Sequence, residues 1–485
     1  MSLALLTDLY ELNMAAVYLR RGMLAPATFS LFVRQLPPGR GFLVAAGLED
    51  CLEFLEEFQF SDADLDYLRR EVGYPADTLA ALRELRFTGD VWAVPEGRVV
   101  LAHEPLLEVT APLPEAQLVE TVLLNLVTFA TVIATKAVRC RLAAAGRGLV
   151  DFALRRTQST AAGLQVARLS ALAGFTATSN VEAGRRYGLP VAGTMAHSFV
   201  EAFGDEERAF AGFAAMFPAA STFLVDTYDT LTGVETAARV IRRLGMPATT
   251  GVRLDSGDLD SLSRAARDIL DRAGLAQARV FASGGLDEYA IARLVAAGAP
   301  IDAFGVGTKM GVSADAPYLD SAYKLVEYAG RPMLKTSPGK ATMPGCKQVF
   351  RSSGPPDSAD VRDLIGLRGE PGPAGGQPLL HPVLLAGRRT RPPEPLAAAQ
   401  ARLTADLAAL PAGARAITDP VAPTAAYSAA AHRLRASAAV PVPAGARQPL
   451  PPRTDSADSP RHEVAANDGA ARDEVQRGRR RPDAR

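Results

Sequence analysis

The chain has 485 residues, too many for a single compact core, and 48% are hydrophobic, so two or more well-filled domains are expected. Its 53 Lys and Arg balance its 53 Asp and Glu, and this zero formal charge gives no reason to expect a nucleic-acid or membrane-surface partner. Cys51, Cys140 and Cys346 are too scattered for a CxxC zinc site or a disulfide framework, and so few thiols suit a reducing, cytoplasmic setting. The opening MSLALLTDLYELNMA has no basic region and meets Asp8 and Glu11 too early for a signal peptide. No apolar run reads as an uninterrupted membrane-spanning helix.

Along the chain, Leu48, Cys51, Leu52 and Leu55 recur at helical spacing, and Ser61 with Asp64 marks a helix start. Residues 89–110 read as strands separated by turns. Residues 1–114 therefore form a mixed α+β domain. From 115 to 320, short apolar runs alternate with amphipathic helical stretches. TFLVDTYDT precedes VETAARVIRRLG, ATTGVRLDSGDL precedes SLSRAARDILDRAG, and ARVFASGGL precedes DEYAIARLVAAG. LPVAGT, before AHSFVEAF, is read as a further strand. Repeated strand–loop–helix units predict a parallel sheet or a barrel, with the active face at the loops that follow the strands. Residues 321–435 return to the front domain, starting with the strands of YKLVEYAGRPMLK, and 352–376 is expected to be loop. Residues 440–485 are too poor in branched aliphatics and aromatics to offset their ordering entropy and read as a disordered tail.

The polar residues of the repeating units fall in the loops. GVRLDSGDL places Arg253, Asp255 and Asp258 around a turn of small residues. An Arg suits planar carboxylate or phosphate recognition, and a nearby carboxylate can hold Mg²⁺ shared with a diphosphate. The bland alternative is a surface turn with a helix cap at Ser256 or Asp258. ASGGLDEY and FGVGT put small residues at two successive strand ends, where glycine lets backbone N–H groups approach a phosphate. GTMAHSFVEAF carries His197 beside Thr194 and Ser198, and VDFALRRT presents Arg155 and Arg156. These loops describe a phosphate-binding enzyme with an anionic substrate, and the chemistry of the residues alone goes no further.

TDLYELNMA, FSLFVRQLPPGRGFLVAAGLED, IATKAVR, VDFALRRTQ, GLPVAGTMAHSFVEAF, GVRLDSGDL, FGVGT and GKATMPGCKQVFR together resemble the nicotinate phosphoribosyltransferase family, over nearly the whole chain to about residue 435. The resemblance implies an irregular α/β barrel, a front domain completed by the post-barrel segment, and a homodimer with shared active sites. It implies an ATP-coupled ligase that joins nicotinate to 5-phosphoribosyl 1-diphosphate on a route to NAD. His197 corresponds to the family's phosphorylated histidine. Arg253 and Thr194 correspond to nicotinate contacts, Arg155 to a substrate-contacting arginine, and Phe152 to a ring that stacks on the pyridine. Tyr10 corresponds to the aromatic that closes over the ring from the partner subunit. Asp226 and Asp255 correspond to carboxylates near ring and ribose, with Asp255 helping to hold Mg²⁺. Ser283, Gly284, Gly285, Gly307 and Thr308 correspond to the 5-phosphate cradle. Two positions depart from relatives: Val312 stands in the loop after GVGT where many have a Thr, and Gly285 where several have an Asp. The other readings are a nicotinamide or quinolinate phosphoribosyltransferase, and a non-catalytic phosphate-binding barrel.

Overall fold

The computed structural model describes residues 3–247, 250–335, 342–352 and 363–438. The tail expected to be disordered, 440–485, lies outside the described residues.

The first sheet is antiparallel and has seven strands. β1 (Pro26–Val33), β3 (Asp90–Ala93) and β5 (Pro105–Pro112) come from the front of the chain. β12 (Ser321–Tyr328), β13 (Arg331–Pro332), β17 (His381–Leu385) and β18 (Arg388–Arg389) come from beyond residue 320. The order is β13-β12-β1-β5-β3-β17-β18, so β1 lies between β12 and β5. β2 (Leu43–Val44) and β4 (Val99–Val100) form a separate pair. A small sheet, ordered β16-β14-β15-β19, joins β14 (Lys347–Arg351), β15 (Asp363–Leu367), β16 (Gln377–Pro378) and β19 (Ala425–Tyr427). β15 corrects the expectation that 352–376 is loop. Its DLIGL is short and lies among Gly, Pro and Asp, which hid it, yet Ile365 is fully buried and the strand pairs with β14 on one side and β19 on the other.

The other six strands are parallel: β6 (Gly148–Asp151), β7 (Ala177–Thr178), β8 (Thr222–Leu224), β9 (Gly251–Leu254), β10 (Arg279–Ala282) and β11 (Ala303–Val306). Their order is β7-β6-β11-β10-β9-β8. This is a half-barrel: among the described residues no strand pairing joins β7 to β8. LPVAGT, expected as a strand, contributes a single bridge, Thr178 to Val191, before the chain runs on to helix His197–Phe203. The connecting helices are amphipathic as read. Ser263, Ala266, Ile269 and Leu270 of helix Leu259–Arg272 are buried, spaced to share one face, while its Arg and Asp residues take the other.

Helix Glu120–Ala144 is long and apolar enough to cross a membrane, a length the sequence reading missed because Thr, Lys136 and Arg139 interrupt it. Most of it is buried here, against helices Thr160–Ala173 and Glu288–Ala296.

Candidate active site

Alternation along a strand puts successive side chains on opposite faces. In β9, Val252 and Leu254 are fully buried, and Arg253 between them faces the other way, toward a cleft of about 390 Å³. Phe281 is the register partner of Arg253 on β10. On β11, Gly305 has no side chain, and a Cβ there would lie 2.7 Å from the Phe152 ring and 2.9 Å from Phe281. That vacancy lets the Phe152 ring sit low at the cleft floor, with the Arg253 guanidinium 5.3 Å from its centroid. This distance suits a cation–π contact.

Arg253 ties three loops together. Its Nε donates to Ser283 Oγ at 2.7 Å, its Nη1 to Thr194 Oγ1 at 2.8 Å, and its Nη2 to Asp255 Oδ1 at 2.6 Å. Ser283 Oγ also donates to Asp255 Oδ1 at 2.5 Å. Burial works to raise the Asp255 pKa, but Ser283 and Arg253 outweigh it and hold the carboxyl below its ordinary value. Asp226, after β8, accepts at Oδ2 from the Asp255 backbone N–H at 3.1 Å and from Ser256 Oγ at 2.6 Å. Its Oδ1 is buried and has no hydrogen-bond partner. Asp258 takes the N-cap position of helix Leu259–Arg272 but accepts from Ser261 Oγ at 2.5 Å rather than from a backbone N–H, while Asp255 turns to the cleft.

His197 is the first residue of helix His197–Phe203, and its Nδ1 is 3.1 Å from Thr227 Oγ1. His197, Thr194, Phe152, Arg155, Arg253 and Asp255 all line the cleft. The glycine loops sit at neighbouring strand ends. Gly284 has φ +91°, and a Cβ would meet Asp255 O at 1.8 Å, so only glycine permits this approach. Gly285 also has positive φ, at +66°, but faces open space. Gly307 precedes the short helix Thr308–Gly311, and a Cβ there would lie 2.9 Å from Phe152 O. Tyr10 stands apart from these residues. It lies on helix Leu9–Arg20, half exposed, and does not line the cleft of its own chain. Burial and then the neighbouring Glu120 push its phenol pKa up.

Several residues of the site escaped the sequence reading. Asp151 is 1% exposed and accepts from Ala153 N at 2.8 Å and Thr178 Oγ1 at 2.7 Å, fixing the loop that carries Phe152 and Arg155. Burial raises its pKa against those two hydrogen bonds. Ser179 and Leu224 line the cleft, and Thr227 orients His197. The Asp that closes β6 was a usable signal. Thr227 was not, because nothing in TFLVDTYDT separates its hydroxyl from that of Thr230.

The family model described as the nicotinate phosphoribosyltransferase N-terminal domain matches residues 5–128, and that of the nicotinate phosphoribosyltransferase family matches residues 148–348. A nicotinate phosphoribosyltransferase of Mycobacterium tuberculosis is 52% identical over 389 residues, covering 80% of this chain and 83% of that protein. The Bacillus subtilis enzyme of the same name is 45% identical over 378 residues, covering 76% and 77%. The crystal structure of human nicotinic acid phosphoribosyltransferase aligns with a TM-score of 0.77 at 32% identity, over 89% of this chain and 99% of that one. With both parts of the chain matched in order and the half-barrel shared, the chain belongs to the nicotinate phosphoribosyltransferase family.

Proposed function

We propose that the chain joins nicotinate to 5-phosphoribosyl 1-diphosphate, forming nicotinate mononucleotide and diphosphate, while ATP and water become ADP and phosphate. The observation that carries this reading is Arg253. A guanidinium has five N–H donors, and Ser283, Thr194 and Asp255 take three of them. Two remain for a planar carboxylate on a ring that stacks over Phe152. Nicotinamide has no carboxylate to use them.

The reaction needs little proton transfer, because the pyridine nitrogen is already a nucleophile. Attack at the ribose C1 forms the C–N bond as the C1–diphosphate bond breaks, through an oxocarbenium-like state. The protein supplies position and charge. Phe152 and Arg253 hold the base. Gly284, Gly285, Gly307 and Thr308 offer backbone N–H groups and a hydroxyl to the 5-phosphate, Ser283, whose N–H and O–H are taken by Leu254 O and Asp255, braces the loop beneath them, and exposed Arg155 guards the mouth. Gly285 carries no carboxylate, so it brings no negative charge to this cradle.

Mg²⁺ fits the donor set. The partnerless buried Oδ1 of Asp226 and the Asp255 carboxylate at the adjacent strand end supply hard oxygen ligands. Mg²⁺ is commonly held by one or two carboxylates together with substrate phosphates. When bound, it would offset negative charge on the leaving diphosphate. His197 is the group for phosphoryl transfer from ATP: with Nδ1 held by Thr227, Nε2 has no protein partner among the described residues. Tyr10, exposed and off its own cleft, suits a lid over the neighbouring subunit's ring in a homodimer. The setting is cytoplasmic: Cys51, Cys140 and Cys346 are all free thiols.

Steady-state comparison of nicotinate, nicotinamide and quinolinate as acceptors tests the proposal. Nicotinate is expected to give by far the highest kcat/KM, and a preference for either rival would overturn the reading. Radiolabelled ATP should leave an acid-labile phosphoryl group on the parent and none on His197→Ala. Equal, acid-stable label on both would remove His197 from the coupling.

A further inference from the structure

Behind the two glycine loops lies a buried ion cluster that the reaction as described does not use. Helix Glu288–Ala296 begins three residues after Gly285, and Glu288 is fully buried at its first position. Asp315 follows the short helix Thr308–Gly311 that Gly307 opens. Both carboxylates converge on one ammonium: Lys136 Nζ is 2.5 Å from Glu288 Oε2 and 2.7 Å from Asp315 Oδ1. Arg139, one turn along the same helix, donates through Nε to Glu288 Oε1 at 2.9 Å and through Nη2 to Tyr289 Oη at 3.2 Å. Arg40, from the front of the chain, reaches Asp315 Oδ2 at 3.0 Å and Ser313 Oγ at 3.1 Å. Lys309, beside Thr308, bridges to Asp287 at 2.9 Å and joins the loops again at the surface.

Lys136 and Arg139 are 1% exposed and Arg40 is 4% exposed. Removing these charges from water is costly, and such clusters are often no more stable than apolar packing. Stability alone is therefore a weak explanation for placing them here. The cluster also holds three cations, Lys136, Arg139 and Arg40, against two carboxylates, Glu288 and Asp315. Two buried nitrogens of Arg40, Nε and Nη1, have no hydrogen-bond partner. Burial works to raise the Asp315 pKa, but Arg40 and Lys136 outweigh it and hold the carboxyl below its ordinary value.

We infer that the Lys136–Glu288–Asp315 cluster sets the spacing between the two glycine loops, making these three and Arg40 positioning residues for the phosphoribosyl phosphate. One ammonium gripping the first residue of one post-loop helix and the segment after the other fixes their separation. This inference rests on the assignment of the glycine loops to the phosphate.

Asp315→Asn keeps the side chain's shape and leaves Lys136 paired with Glu288. Its KM for phosphoribosyl diphosphate is expected to rise about tenfold, while KM for nicotinate stays within about twofold, because a misplaced loop affects only the ligand it holds. Thr308→Ala runs in parallel. If it leaves KM for phosphoribosyl diphosphate unchanged, the phosphate assignment fails and this inference with it. If Thr308→Ala raises that KM and Asp315→Asn moves neither KM, or both equally, the cluster is structural only and the inference is overturned. Arg40→Met gives a second route if Asp315→Asn does not fold, since it releases Asp315 and Ser313 from their tether to the front of the chain. It should move the same KM by a smaller factor, and no selective change would count against the inference.

Discussion

Two arginines near strand ends contrast an ion cluster closed off from solvent with one that lines a cleft. Arg351, at the end of β14, is 6% exposed and commits four donors. Nε goes to Asp363 at 3.0 Å, Nη1 to Asp406 at 3.0 Å, and Nη2 to both Val99 O at 2.8 Å and Asp363 at 2.5 Å. Asp363 is fully buried and Asp406 is 6% exposed. Arg253 has a similar number of protein neighbours, yet it commits three donors and lines a cleft, and its partner Asp255 has a side chain 29% exposed. One arginine commits four of its five donors and is closed off from solvent. The other is held in place with capacity left over. Charge and hydrogen-bond count look alike in the two; spare donors beside an opening distinguish them.

The largest expected effect lies on the closed side. Arg351→Met should strip Asp363 and Asp406 of their shared partner and destabilise the fold by about 3–5 kcal/mol, the scale for breaking a buried pair. Chemical denaturation reads this out, and kcat/KM per folded molecule should be nearly unchanged. Arg253→Ala should do the reverse. A lost charge-assisted contact is worth about 1.5–3 kcal/mol, so nicotinate kcat/KM should fall roughly ten- to a hundredfold while the melting temperature changes little. If both variants lose stability and activity in parallel, the contrast between the two arginines fails.

The smallest effect concerns pH, and here the two clusters carry opposite signs. Asp255 has a depressed folded pKa, so its contribution is fully present above the unfolded carboxylate value and is lost as pH falls through the folded value. Glu104, beside Arg351, is pushed well up by burial and then by Asp363. Its contribution is fully present below the unfolded value and is lost as pH rises through the folded one. Asp255→Asn should therefore flatten the acid side of a stability–pH curve. Glu104→Gln keeps an acceptor for the Leu101 N–H and should flatten the decline toward neutral pH. A Glu104→Gln curve parallel to that of the parent would show that Glu104 does not titrate as its surroundings imply.

The strand–loop–helix rhythm was legible, because period-2 apolar runs and period-3.6 faces are local properties of the sequence. So were His197, Arg253 and Asp255, which line the cleft, since each falls at or after a short apolar run that precedes a helical stretch. The sheet order was not, because which strand pairs with which depends on contacts far apart in the chain. β15 was hidden because its neighbours across the sheet supply the apolar environment that DLIGL alone does not advertise. Asp151 and Thr227 were missed because they act on other side chains. The Lys136 cluster was missed because IATKAVR reads as a helix with two charges on it, and only the fold brings Glu288 and Asp315 to meet them.

The position of β1 between β12 and β5 has a consequence for synthesis. β1 can pair with β5 soon after both have left the ribosome, but its other edge must wait for residues 321–328. At roughly 5–20 residues per second, that edge stays open for on the order of tens of seconds. Through that interval the nascent chain presents unpaired backbone groups along an apolar strand, a template for pairing with another chain. Ribosome-bound chains stopped short of residue 321 should be prone to aggregate and to hold chaperones, and chains extended past β12 should release them.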